Sequence, residues 1–388
     1  MSEFFRQLTG GAFGRLLLPG IVLQSVLIGG GYASGREVVE YGARFGLHGI
    51  GAVAVVFLGF SLMAVLTFEF ARLARAYEYK AFMRGLIGWA WPAFDLLFGA
   101  MAILIIAVMA SAASSIMDQV LGVPPILGTS VIILAVGILC FYGSTLIEAF
   151  KSVGSGLLYV AYLLFAIVVL TRHGSELGSA FSADGMARFS DATLGAALLA
   201  GVIYVGYNLA VFPAVLFTLH RQQTRRHTVT AGLIAGAMMT LPFALTWLCL
   251  LAYYRSPEVF DAPVPWLVML EQAGGPWLLV VFALVMGWTL LETSVGLIHA
   301  LLDRVDRNLG RAEDEMSRPL RGMLGAGVLI AAAVLSQVGI IALVARGYSF
   351  MGYLFIALFA LPLMTVGLVR ILRQHGRYSA ESEVTERG

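Results

Sequence analysis

Apolar runs of about 20 residues follow one another along the whole chain, and most of its charge sits in short clusters between them. A helix of that length crosses the hydrocarbon core of a bilayer. With 59% hydrophobic and only 12% charged residues, against about 25% charged in soluble domains, the chain reads as an all-α polytopic membrane protein. Mean hydropathy is +0.87. No basic or acidic tract of the kind that grips nucleic acid is present, and the net charge of +2 selects no partner beyond the lipid bilayer. Arg6 and Arg15 precede the first apolar run without a small-residue cleavage site after it, so no signal peptide is expected. Cys140 and Cys249 fall at opposite membrane faces in the layout below, which argues against a disulfide.

Ten spans are expected. They are Leu16 to Phe45, Gly49 to Ala71, Ala90 to Asp118, Ile126 to Tyr142 and Val153 to Thr171, then Ala196 to His220, Thr228 to Tyr253, Trp277 to Leu302, Leu320 to Ala345 and Tyr348 to Leu372. They are called spans 1 to 10. Residues 1–15 form a cytoplasmic N-terminus and 16–171 a first five-helix repeat. An extracytoplasmic connecting loop (172–195), a second repeat (196–373) and a cytoplasmic tail (374–388) follow. With both termini inside, 19 of the 25 Lys and Arg residues fall on the cytoplasmic side, as the positive-inside rule requires. The linker from Asp303 to Arg321 mixes both charge signs and reads as a solvated loop, Lys151 is expected at the cytoplasmic end of span 5, and Glu69 reads as a local partner of Arg72 or a gate element.

Span 1 is interrupted by Gly29-Gly30-Gly31. Each glycine costs a helix roughly 1 kcal/mol relative to alanine, so the helix should open there and restart from Ser34 to Phe45. Backbone freed at membrane depth is tolerated only where it is packed in protein or lines a cavity. Span 6, the first span of the second half, carries a matching interruption at Gly206, Asn208 and Pro213. Five spans per half make the repeats opposite in topology, and paired breaks in inverted repeats point to a transport site at the repeat interface. The positive end of the restarted half-helix suits a carboxylate, and the carbonyl end near Gly206 suits an ammonium. A zwitterion such as an amino acid satisfies both.

The stretch Gly30-Gly31-Tyr32-Ala33-Ser34-Gly35-Arg36-Glu37 resembles the first-helix signature of the YkvI-like amino-acid permeases, a bacterial branch of the amino acid–polyamine–organocation superfamily. That signature is a glycine run, an aromatic, a small pair, then Gly-x-Glu. The resemblance implies the LeuT fold: a ten-helix, 5+5 inverted repeat with broken helices 1 and 6, in which spans 1, 2, 6 and 7 form a bundle that moves against a scaffold of spans 3, 4, 8 and 9. It also implies an inner-membrane secondary transporter.

Substrate contacts are expected from Gly30, Gly31, Tyr32, Ser34 and Gly35, from Tyr204, Gly206, Tyr207 and Asn208, and from Ser111 on span 3. Sodium-coupled members of the fold place a Thr/Ser pair on span 8 beside carbonyls of span 1. By that resemblance an ion site falls on Gly29, Tyr32, Thr289, Thr293 and Ser294, with Glu292 beside them. Glu292 is the most deeply placed acid and reads either as a functional group or as a hydrogen bond within the scaffold. Arg36 and Glu37 are gate candidates; the plainer reading is a solvated ion pair at the outer mouth, with Arg36 facing Glu40 at i,i+4. The coupling ion is Na+, slightly favoured, or H+, and neither a cofactor nor a further metal is called for. The sequence sets no oligomeric state. An enzyme is disfavoured, because no His-Glu-x-x-His, Gly-x-Ser-x-Gly or facing aspartate pair occurs. A ligand-sensing receptor that keeps the fold without transport is the rival class.

Overall fold

The computed structural model describes residues 11–28, 34–142, 144–182, 185, 188–308 and 317–374, and every described element is helical. Among the described residues, seven helices are long and apolar enough to cross a membrane. Three shorter apolar helices, Phe13–Leu27, Pro125–Cys140 and Leu158–His173, fall where spans 1, 4 and 5 are expected.

Span 1 ends its first helix at Leu27, where Ile28 leaves helical geometry with ψ 68°. It resumes as Arg36–Tyr41. The glycines and aromatic of the expected break, Gly29, Gly30, Gly31 and Tyr32, lie outside the described residues. The resumed half is shorter than the sequence suggests. It holds six α-helical residues, followed by a 3₁₀ turn Ala43–His48 that bends at Gly46. Gly46 has φ 54°, and the Phe189 ring from the connecting loop packs directly over it.

Span 6 changes character rather than opening. It runs as α-helix over Leu194–Asn208 and as 3₁₀-helix over Leu209–Arg221, with Pro213 inside. Proline cannot donate to the carbonyl four residues back, and with i→i+3 bonds the residue before it can serve that carbonyl instead. A 3₁₀ run this long is uncommon and often marks a hinge or strain. The break expected at Gly206 to Pro213 is therefore a switch of helix type.

The helices sort into two groups. Span 2 (Gly49–Ala74) packs along span 7 (Arg225–Leu251) and against span 6, and the first half of span 1 lies on span 7. Gly232 and Gly236 of span 7 sit against the backbones of Val65 and Ser61, so no side chain would fit between the two helices there. Close approach through small residues is the usual means of helix association where lipid gives no hydrophobic drive. Span 3 (Trp91–Leu121) packs on spans 4 (Pro125–Tyr142), 8 (Pro276–Asn308) and 9 (Arg318–Ser336). This grouping follows the bundle and scaffold implied by the resemblance. Span 10, within the apolar run Ile340–Gln374, packs against span 6.

Three boundaries differ from expectation. Span 9 ends at Ser336 and the helical run of span 10 begins at Ile340, so Ile340 to Ala345 belong to span 10 and not to span 9. Span 5 begins at Ser144, so Lys151 lies within the helix instead of at its end. Span 8 continues to Asn308, so Asp303 and Asp306 are helical and not part of a solvated loop. Asp306 is fully buried, and Arg321 of span 9 reaches both acids, at 3.0 Å and 3.2 Å. Burial of one carboxylate demands a partner, and the neighbouring helix supplies it. An amphipathic helix, Tyr79–Ile87, joins spans 2 and 3 with Phe82, Met83 and Leu86 turned inward. The sequence reading gave it no element.

Candidate functional site

The site is built where span 1 resumes. Gly35 adopts φ 81°, a conformation that L side chains rarely take. A Cβ there would also stand 2.9 Å from Cδ1 of Trp266. Ser34, 1% exposed, accepts the Arg36 backbone N–H on its Oγ at 3.1 Å and so holds the turn. Ser34 and Gly35 thus shape the restart. Trp266 itself is buried, rests edge-on against Tyr162 at 5.1 Å, and its Nε1 has no acceptor among the described residues.

Arg36 is only 6% exposed. Its Nη1 donates to the carbonyls of Phe260 (2.5 Å) and Ala262 (3.3 Å), and its Nη2 lies 3.6 Å from Glu40. The i,i+4 pair with Glu40 is present, but the solvated pair at an open mouth is not. The guanidinium ties the resumed half of span 1 to the segment between spans 7 and 8, while Arg44 covers Glu40 from outside.

Glu37 is buried to the same degree and accepts a hydrogen bond from the Tyr207 hydroxyl of span 6 at 2.5 Å. Around this bond four tyrosines gather. The Tyr207 ring lies 5.5 Å from Tyr41, 5.4 Å from Tyr204 and 4.8 Å from Tyr348. Tyr41 donates to the Val344 carbonyl at 2.8 Å and meets Ser349 Oγ at 3.1 Å. Spans 1, 6 and 10 are thereby laced together at one level. Tyr204 is fully buried against Phe60 and Phe243.

Other candidates have more local duties. Asn208 donates its side-chain amide to the Tyr204 carbonyl at 2.8 Å. The carbonyls of Gly206 and Tyr207 accept the Leu209 N–H at the change of helix type. Gly206 faces span 10, where a Cβ would stand 2.8 Å from the Gly352 carbonyl oxygen. On span 3, Ser114 bonds the Pro125 carbonyl at 2.7 Å, and the Ser111 carbonyl accepts from Ser115 at 3.0 Å. That serine face sits at the junction with span 4, and Ser111 is at the limit of burial.

On span 8, Thr289 bonds back to Val285 at 2.8 Å, and Ser294 bonds to Leu290 at 2.7 Å while lying 3.3 Å from Met109 Sδ of span 3. Glu292 and Thr293 are half-buried between them. The span 1 partners of this expected ion site, Gly29 and Tyr32, are outside the described residues. Glu69 accepts both the Arg72 guanidinium (2.6 Å) and the Thr228 hydroxyl (2.6 Å), and Arg72 reaches the Gln223 carbonyl. It therefore joins span 2 to span 7 within the bundle.

Tyr41, Tyr348, Phe243 and Trp266 were not anticipated. Tyr41 had a findable signal, since it stands one helical turn after Glu37. The others come from distant segments and left none.

No family model matches the chain. It is 24% identical over 344 residues to the uncharacterized membrane protein YkvI of Bacillus subtilis (strain 168), covering 87% of this chain and 92% of that protein. Among solved structures, the L-phenylalanine complex of MhsT superposes with a TM-score of 0.53 at 18% identity, over 94% of this chain and 98% of MhsT. A manganese transporter of Eremococcus coleocola gives 0.50 at 15% identity, over 95% and 88% of the two chains. The helix grouping and these likenesses agree: the chain is a multi-pass membrane protein with the LeuT fold, and it is similar to YkvI over most of its length.

Proposed function

We propose that this protein is a secondary active transporter of a small zwitterionic solute, an amino acid in the simplest case, working by ion-coupled alternating access in the inner membrane with both termini cytoplasmic. The observation that carries the proposal is the buried Glu37–Tyr207 bond, which joins the resumed half of span 1 to span 6 beside the glycine break. Broken helices meeting at mid-membrane are where transporters of this architecture hold their cargo.

The surroundings support a zwitterion. Trp266 Nε1 and Arg36 Nε are buried donors without an acceptor among the described residues, both at the restart of span 1. Buried donors normally find partners, and a substrate carboxylate supplies one. Glu37 and the tyrosine rings suit an ammonium through charge and ring-face attraction. MhsT binds L-phenylalanine in its solved complex, which agrees with this class of cargo.

For the coupling ion, Thr289, Thr293 and Ser294 keep oxygen lone pairs for sodium. One observation favours a proton instead. Glu37 is buried, its hydrogen bond comes from a neutral phenol, and the Arg36 guanidinium is directed to Phe260, Ala262 and Glu40.

The test is thermal stabilisation of the detergent-purified protein across an amino-acid panel, with and without sodium, at two pH values. A ligand at 100 times its Kd stabilises the folded state by about 2.7 kcal/mol. A shift from one amino-acid class that grows with sodium and is lost in Thr293→Ala would support sodium coupling. A shift that follows pH, and whose pH dependence disappears in Glu37→Gln while the shift itself remains, would support the proton. No shift from any zwitterion in a folded sample would remove the amino-acid reading.

A further inference from the structure

The amphipathic helix Tyr79–Ile87 follows span 2 after four residues and leads into span 3 after three more. So short a linker holds it at the membrane surface. Its inward face is spoken for: Phe82 packs edge-on against Phe70 at 5.2 Å and stacks on Phe359 of span 10 at 6.1 Å. Its outward face carries Lys80 and Arg84, one turn apart.

Both cations gather on one ring. Lys80 Nζ lies 4.9 Å, and Arg84 Cζ 5.3 Å, from the centre of Trp91. Neither makes an ion pair with a described carboxylate. Of the acids at this end, Asp95 is held by Arg304 at 2.9 Å and by the Tyr79 hydroxyl at 2.6 Å. Glu78 is exposed and forms no ion pair among the described residues. Arg370, at the end of span 10, adds a third cation by donating to the Gly85 carbonyl at 2.6 Å. The ring attracts each cation, no described carboxylate pairs with either, and an anion placed between them would offset their mutual repulsion.

On the same connection Trp89, in the turn between this helix and span 3, is 92% exposed, and Leu96, five residues after Trp91 in span 3, is 79% exposed. A bare indole and a bare leucine next to paired cations do not suit a soluble anion. They suit the interface, where tryptophan sits at headgroup level and apolar residues meet acyl chains. We propose that Lys80, Arg84 and Arg370 hold the phosphate of an anionic phospholipid, with Trp89 and Leu96 against its glycerol and upper acyl chain. The proposal rests on the membrane placement of this helix and not on the transport reading. Because the helix connects bundle to scaffold, a lipid bound there steadies the connection between the two.

The test titrates the purified protein in dodecyl maltoside micelles with phosphatidylglycerol or phosphatidylcholine and reads the thermal midpoint. Phosphatidylglycerol is expected to raise the midpoint by several degrees over the same mole fraction of phosphatidylcholine. At least half of that difference is expected to vanish in Lys80→Gln/Arg84→Gln. Inorganic phosphate at equal concentration is expected to have no effect. Equal shifts from the two lipids, a phosphatidylglycerol effect kept in the double variant, or reproduction by phosphate would each overturn the proposal. A second measurement needs only folded wild type and Trp89→Phe: phosphatidylglycerol brominated on its acyl chains should quench tryptophan emission more than brominated phosphatidylcholine, and Trp89→Phe should remove the excess. Equal quenching by the two lipids would also sink it.

Discussion

The Tyr207 hydroxyl of span 6 donates to the Glu37 carboxyl of span 1 across 2.5 Å, with both side chains buried. Tyr207→Phe removes one oxygen and leaves a buried acceptor without its donor, which costs roughly 1–3 kcal/mol. The thermal midpoint should fall by several degrees. Glu37→Gln keeps the shape and an acceptor oxygen for Tyr207, so its loss should be smaller. A Tyr207→Phe protein that melts with wild type would show that this bond does not hold spans 1 and 6 together.

The same residue separates coupling from binding. If Glu37 carries the coupling proton, Glu37→Gln in proteoliposomes should abolish accumulation driven by a pH gradient while exchange of labelled for unlabelled substrate persists. Retention of gradient-driven uptake in this variant would move the coupling to the span 8 hydroxyls.

Gly206 and Gly352 bring spans 6 and 10 into backbone contact, since a Cβ on Gly206 would lie 2.8 Å from the Gly352 carbonyl oxygen. Gly206→Ala should push the helices apart, and such overpacking costs about 1–3 kcal/mol. Gly178, in the connecting loop, has open space around its missing Cβ. Gly178→Ala should leave the midpoint unchanged. Equal behaviour of the two variants would refute the close-contact role.

The helical class, most span positions and the restart of span 1 could be read from the sequence because each rests on local signals: apolar length, clustered charge and consecutive glycines. Span 6 shows where local signals stop. Pro213 announced a disturbance, but a proline by itself does not say whether the backbone opens or tightens into a 3₁₀-helix, because that is set by packing against distant segments. Arg36 was recognised through Glu40, four residues away. Its carbonyl partners, Phe260 and Ala262, stand more than 220 positions along the chain, and nothing at Arg36 encodes them. The mixed charges from Asp303 to Arg321 read as a solvated loop because mixed signs usually are solvated. The burial of Asp306 is a product of spans 8 and 9 meeting.

Arg36 clasps two carbonyls of the segment between spans 7 and 8, where Trp266 also covers Gly35. Lysine keeps the charge but lacks the planar fork that reaches both oxygens. In a background without Cys140 and Cys249, a cysteine placed by Ser34→Cys should react slowly with an impermeant thiol reagent, because Ser34 is 1% exposed. Adding Arg36→Lys should speed that reaction several-fold. Unchanged reactivity would mean that the clasp does not keep this face closed.

Asp306 has no exposed surface, and the Arg321 guanidinium reaches it at 3.2 Å while also bonding the more exposed Asp303 at 3.0 Å. Arg321→Ala would leave a buried carboxylate without its cation, a change that typically costs about 3–5 kcal/mol. Asp303→Ala removes a partly solvated partner and should cost under about 1 kcal/mol. Spans 8 and 9 are joined through this arginine, so Arg321→Ala should lower both the thermal midpoint and the yield of folded protein. The double variant Asp306→Leu/Arg321→Met replaces the ion pair with apolar side chains and removes the stranded charge along with its partner. It should recover most of the lost stability. A double variant no more stable than Arg321→Ala would show that packing at this junction, and not the uncompensated charge, sets the cost.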